Sequence, residues 1–175
     1  MKKFELTNEF ITNMFGTKLF RIRALVEFGD VEAGELGGYV EKESNLGHDD
    51  NAWVYGNALV YGNAWVYDNA WVYGNAQVSG DARVCGDARV CGNGDYAYAH
   101  GFGSVNRTTT FFRLKDGGVG VRCGCFYGTL AQFRDKIRET HGETKKAQEY
   151  LMLADLMELR FEEDENEVGN RKYVE

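Results

Sequence analysis

Proline is missing altogether from these 175 residues, and histidine, with three, and cysteine, with four, are scarce. Without proline the turns fall to the 22 glycines, backed by asparagine and aspartate. No stretch approaches the roughly 20 apolar residues of a membrane-spanning helix. The opening MKKFELTNEF has two lysines with no apolar run behind them, so neither a membrane span nor a signal peptide is read. The cysteines fall six apart (Cys85, Cys91) and two apart (Cys123, Cys125), which is no disulfide framework, and a cytoplasmic protein is expected. Positive charge is also short: 20 Lys and Arg against 27 Asp and Glu leave a net charge of −7. That argues against a generic nucleic-acid binder held by phosphate attraction.

What is present is a repeat. Residues 51–92 divide into seven consecutive hexapeptides, NAWVYG NALVYG NAWVYD NAWVYG NAQVSG DARVCG DARVCG. So short and strict a period is the signature of a parallel β-helix, in which short strands stack and tight corners join them. Alanine holds the second place of each unit and valine the fourth. Residues two apart in a strand share a face, so Ala52, Val54 and their successors point inward. Trp53, Tyr55 and their successors point outward. The Gly-Asn and Gly-Asp corners suit left-handed backbone conformations.

Three such sides make a coil of 18 residues, and residues one coil apart stack at about 4.8 Å. Trp53 then shares a column with Trp71 and Arg89, and Tyr55 with Tyr73 and Cys91. On a second side Trp65 stacks with Arg83, and Tyr67 with Cys85; the third carries Leu59 over Gln77. Extended backwards, the register puts Val40 and Leu46 in the alanine class and His48 in the valine class. Forwards, Gly94, Tyr96, His100 and Phe102 stay inward to about residue 104. The expected division is a capping segment over 1–37, a β-helix of about three to four coils over 38–104, a ββαα module over 105–161 and an acidic mobile tail over 162–175.

The flanks carry their own signals. Residues 18–28 read as a strand, and residues 107–115 and 119–126 alternate in period two across Asp116-Gly117-Gly118, a hairpin signal. Val119, Val121, Cys123 and Cys125 then share one strand face. Thr129-Leu130-Ala131-Gln132 is a capping box opening a helix with Leu130, Phe133 and Ile137 on one face and Gly142 as its stop. A second helix over 144–159 buries Ala147, Tyr150, Leu151, Ala154 and Met157.

The six-residue spacing with inward aliphatics resembles the hexapeptide-repeat family. Parallel crossovers are normally right-handed, and a left-handed coil is what this resemblance implies. Gly37-Gly38-Tyr39-Val40-Glu41-Lys42-Glu43-Ser44-Asn45-Leu46, leading into NAWVYGNA, resembles the opening of uncharacterised hexapeptide-repeat proteins of bacteriophages and prophages. Cys123-Gly124-Cys125-Phe126, Gly128-Thr129-Leu130 and His141-Gly142 are similar to a C-terminal module of the same group. The likeness covers most of the chain. It implies a phage accessory product in the host cytosol and assigns no chemistry. The fold class expected is mainly β: a left-handed parallel β-helix followed by a β-hairpin and two helices. More distant kin are the hexapeptide-repeat acyltransferases, in which a histidine at a protomer junction acts as general base and acyl-CoA lies between coils.

Little in the sequence matches that chemistry. His48 and His100 fall at inward registers where the coil is capped, His141 ends a helix, and no long loop builds an acceptor pocket. Asp49 or Asp50 could orient His48 as a base. Cys123, Cys125 and His141 are candidate zinc ligands, but the strand face makes the cysteines small apolar residues and a fourth ligand is missing. No cofactor is read. The aromatic ladder has three readings. Trp53, Tyr55, Trp71 and Tyr73, with Trp65 and Tyr67 beside them, would join protomers of a homo-oligomer, each buried tryptophan contributing about 1.5–3 kcal/mol. A terminal segment of the chain could cover them instead. Or a planar ligand such as a nucleobase could stack there, with Arg83 and Arg89 on its phosphates. The function expected is a non-enzymatic phage binding protein that oligomerises through its aromatic faces. It would inhibit a host defence system by occupying a defence protein or sequestering a nucleotide signal; the alternatives are an acyltransferase or a virion component.

Overall fold

The computed structural model describes residues 1–162; the acidic tail expected from residue 162 lies, after its first residue, outside them. Strands β1 (Phe4–Thr12) and β2 (Lys18–Ala24) form an antiparallel hairpin, and β3 (Leu36–Val40) pairs with β2. Seven two-residue strands follow: β4 (Trp53–Val54), β5 (Leu59–Val60), β6 (Trp65–Val66), β7 (Trp71–Val72), β8 (Gln77–Val78), β9 (Arg83–Val84) and β10 (Arg89–Val90). They stack in three parallel ladders, β3-β5-β8, β6-β9 and β4-β7-β10. The register is the one the hexapeptides predict: Trp53 pairs with Trp71 and Trp71 with Arg89, Trp65 with Arg83, Leu59 with Gln77. Inside, every alanine and valine of the repeat is buried, because ladders this close together leave room only for small side chains. Glycines 56, 62, 74, 80 and 86 turn the corners with positive φ, and Asp68 takes the same conformation at φ 56° where the motif has Asp for Gly. Its carboxylate accepts the Gly86 N–H at 3.1 Å.

The first layer departs from the expected register. Val40 pairs with Val60, and Leu46 bridges to Val66. Both therefore stand in the valine class, not the alanine class. Two extra residues lie in the 47–51 corner, which carries His48 out of the inward column. There its ring stacks on Phe4, with centroids 4.4 Å apart. Nδ1 accepts the Lys3 N–H at 3.2 Å, so Nε2 carries the proton and donates to Glu43 at 2.9 Å. The partner of His48 is thus Glu43, neither Asp49 nor Asp50.

Each layer donates its N–H groups to carbonyls of the next, as Trp53 N–H does to Ala70 and Trp71 N–H to Ala88. The third layer has no successor, and buried donors left without acceptors are costly. Side chains supply the acceptors: Asn93 for Gln77, the Tyr96 hydroxyl for Ser79, Thr110 for Arg83 and Asp95 for Cys91, at 2.8–3.3 Å. The inward register accordingly stops before residue 94. Gly94 is exposed in a 3-10 turn, and Tyr96, His100 and Phe102 lie on β11 (Tyr96–Phe102) of an antiparallel sheet.

That sheet continues with β12 (Arg107–Arg113), β13 (Val119–Cys123) and β14 (Phe126–Thr129), and carries α1 (Leu130–His141) and α2 (Lys145–Phe161) on one face. Adjacent β12 residues face opposite ways. Phe111 joins the helical core, while Phe112 enters the Ala/Val core and plugs the end of the solenoid. The Thr129/Gln132 capping box and the positive-φ Gly142 stop appear as expected; Leu151 is only half-buried. The expected strand over 119–126 is two strands, because Gly124 (φ 58°) and Cys125 form a tight turn. Cys125 is therefore exposed at that turn and does not share the face of Cys123.

Candidate functional site: an aromatic groove

Along the β4-β7-β10 ladder the two outward tryptophans meet different fates. Trp53 is fully buried: Phe28 packs edge-on at 5.3 Å and Phe4 at 6.2 Å. Lys3 locks this cover, its ammonium donating to the carbonyls of Asp50 (2.9 Å) and Ala52 (2.8 Å) while lying 4.5 Å over the Phe28 ring. The expected outward strip running through Trp53 is thereby corrected; at this position the N-terminal segment of the same chain covers the tryptophan. One layer on, Trp71 has no such cover. Its face carries the Arg89 guanidinium at 4.1 Å and its edge meets Tyr55 at 5.3 Å. Arg89 is fixed there by donating to the Asn69 and Ala88 carbonyls, both at 2.9 Å.

Tyr55, Trp71, Tyr73 and Arg89 floor a groove of about 1090 Å³, walled by Asp30 on one side and by Arg113, Lys115 and Gly117 of the β12–β13 hairpin on the other. Arg113 is held by the Gly117 and Phe161 carbonyls, both at 3.2 Å, and by Asp95 at 3.7 Å. The lining thus has three cations against two carboxylates, Asp30 and Asp95, a local positive excess in a chain of net charge −7. Burial, then the negative Glu35 and Asp30, push the Tyr55 phenol up to about 12. It therefore stays a neutral hydrogen-bond donor.

The remaining expected residues lie elsewhere. Trp65 and Tyr67 stack at 4.0 Å on the β6-β9 ladder, with Arg83 5.9 Å from the Trp65 ring and Arg122 the same distance from Tyr67. Tyr67 and Cys85 are buried there, and burial raises the Cys85 thiol to about 11, so it is no thiolate nucleophile at neutral pH. Arg83 lines a separate cleft with His100 and Arg107. Of the zinc candidates, Cys123 accepts from the Thr109 hydroxyl at 3.1 Å, His141 stacks on Tyr150 at 6.0 Å and Cys125 is exposed. Among the described residues no three metal-ligating side chains converge.

Arg113, Lys115 and Asp30 were not singled out from the sequence. The Asp116-Gly117-Gly118 turn signal located the hairpin, but tertiary contacts, among them the backbone bridge of Leu114 to Ala88 and the bond of Lys115 N–H to the Asp87 carbonyl, bring it to the ladder. No helix among the described residues is long and apolar enough to cross a membrane.

The repeats match the family model described as YdcK Beta solenoid repeat in three overlapping windows, residues 52–68, 64–80 and 76–92. Successive windows start 12 residues apart, which is two hexapeptides. No curated protein matches the chain. Ladders, register and repeat match agree that this is a repeat β-solenoid protein.

Proposed function

We propose that this solenoid is a phage accessory protein of the hexapeptide-repeat kind, wound left-handedly, which acts by binding and performs no catalysis. Its ligand is planar and anionic, of nucleotide type, and sequestering such a signal would blunt a host defence. The observation that carries this reading is the Trp71–Arg89 stack with Tyr55, Tyr73 and Lys115 around one groove. A base finds aromatic faces and edges there, and phosphates find guanidinium and ammonium groups. The volume, about 1090 Å³, suits a small molecule better than a protein surface, ligand pockets running to about 1,000 Å³.

Titration calorimetry with mono-, di- and cyclic nucleotides tests it. Base–aromatic stacking contributes about 1–3 kcal/mol, so Trp71→Ser should weaken binding by roughly 5- to 150-fold with the fold intact. Arg89→Ala should act in the same direction. His48→Ala should leave binding proportional to folded protein. A wild-type protein that binds none of these nucleotides, or Trp71→Ser binding unchanged, would defeat the reading.

A further inference from the structure

A second apolar surface lies on α2, whose C-terminal end adjoins the groove wall through the bond of Arg113 to the Phe161 carbonyl. Helix α2 buries Ala147, Tyr150, Ala154, Met157 and Phe161 against its own module. Its opposite face exposes Met152 (70%), Leu156 (54%) and Leu159 (66%), spaced four and three apart and therefore in one stripe. A helix already satisfied on one side does not need a second apolar stripe in water.

Charges beside the stripe indicate its occupant. Asp155 and Glu158 are taken up within the chain by Arg134, at 2.8 and 2.7 Å. Glu149 and Arg160 find no opposite charge among the described residues; Arg160 makes only a 3.3 Å bond to the Asn93 carbonyl. They stand 11 residues apart, close to three full turns, and so share one flank of the stripe. Their midpoint, between residues 154 and 155, falls within the 152–159 stripe. When two helices pack face to face in antiparallel fashion about a two-fold axis, the same flank of each meets the other. Glu149 of one copy then lies opposite Arg160 of the second, twice over, and Met152 falls between Leu156 and Leu159 of the other copy.

We infer that the α2 face is an isologous dimerisation surface whose occupant is a second copy of this chain. One helix pair is a small interface, and association in about the micromolar range is expected. The inference does not depend on what the groove binds.

Sedimentation velocity over a dilution series, with circular dichroism as a control for folding, tests it. The two-fold repeats every change, so Leu156→Lys should raise the dissociation constant about a hundredfold or more. Glu149→Arg alone and Arg160→Glu alone should each be monomeric at concentrations where the wild type is dimeric, since each sets like charges opposite one another. Mixed together, these two folded variants should recover a heterodimer, because both cross-pairs are then Arg with Glu. A wild type that stays monomeric at about 300 µM, its stripe left to another protein or to the chain's last residues, overturns the inference. So does a dimer indifferent to Leu156→Lys, or a pair of charge variants that does not associate on mixing.

Discussion

Truncating Phe112 to alanine probes how this solenoid ends. The ring is fully buried in the Ala/Val core, and Gly120 makes the space for it: a Cβ there would come within 2.5 Å of the ring. The neighbouring Phe111, equally buried, belongs to the helical core, so one substitution made at two adjacent positions addresses two different cores. Loss of a fully buried phenylalanine costs about 3–5 kcal/mol. The residues around Phe112 are held in ladders and are too short to refill the space, which favours the upper part of that range. For a chain of this length each kcal/mol lowers the melting temperature by about 2–4 °C, so a fall of roughly 6–20 °C is expected. Hydrogen exchange gives the decisive contrast. Phe112→Ala should first release the third-layer amides of Gln77, Arg83 and Cys91, whose acceptors sit on the same cap. Phe111→Ala should first release α1 and α2. A loss below about 1 kcal/mol, or the same exchange pattern in both variants, would refute the plug.

Two further substitutions separate cover from site. Trp53→Ala should destabilise by about 3–5 kcal/mol yet leave groove binding per folded molecule unchanged, which chemical denaturation and calorimetry check together; impaired binding in the folded variant would return Trp53 to the site. Lys3 supplies a pH test: burial pushes its ammonium down from 10.5 to about 8. Between those values the unfolded chain holds more protons than the folded one, so this group's contribution to stability increases as pH rises through the window. The wild type should therefore gain on Lys3→Met in urea midpoints between pH 7.5 and 10, and a constant difference would contradict the buried charge.

The solenoid was legible because its period is local and strict: a count of 18 put Trp53, Trp71 and Arg89 in one column, and the structure pairs them so. The count failed at Val40 and Leu46 because nothing periodic marks the two additional residues of the 47–51 corner. Thr129 and Gln132 were readable since a capping box is complete within four residues. Strand β1 was not: its alternation through Phe4, Leu6 and Phe10 breaks at Asn8 and Ile11, and its role depends on Lys3 and Phe4 reaching residues far along the chain. Trp53 and Trp71 occupy the same place in the same motif, so no local signal distinguishes the covered ring from the open one. The groove could be half foreseen. Tyr55, Trp71, Tyr73 and Arg89 come from the repeat, whereas Asp30, Arg113 and Lys115 arrive through tertiary packing.

The groove also restricts how such a chain can lengthen or shorten. Its floor belongs to one of three ladders, one wall descends from the N-terminal segment at Asp30, and the other rises from the hairpin at Lys115. Adding or deleting a single hexapeptide would keep the inward Ala and Val register yet move the C-terminal module to the neighbouring side. The two walls would then face different ladders. Only whole layers of three hexapeptides keep them opposed, at the cost of a longer or shorter floor. Repeat number in this protein is therefore an angular coordinate as well as a length, and core stability alone would not reveal an error in it.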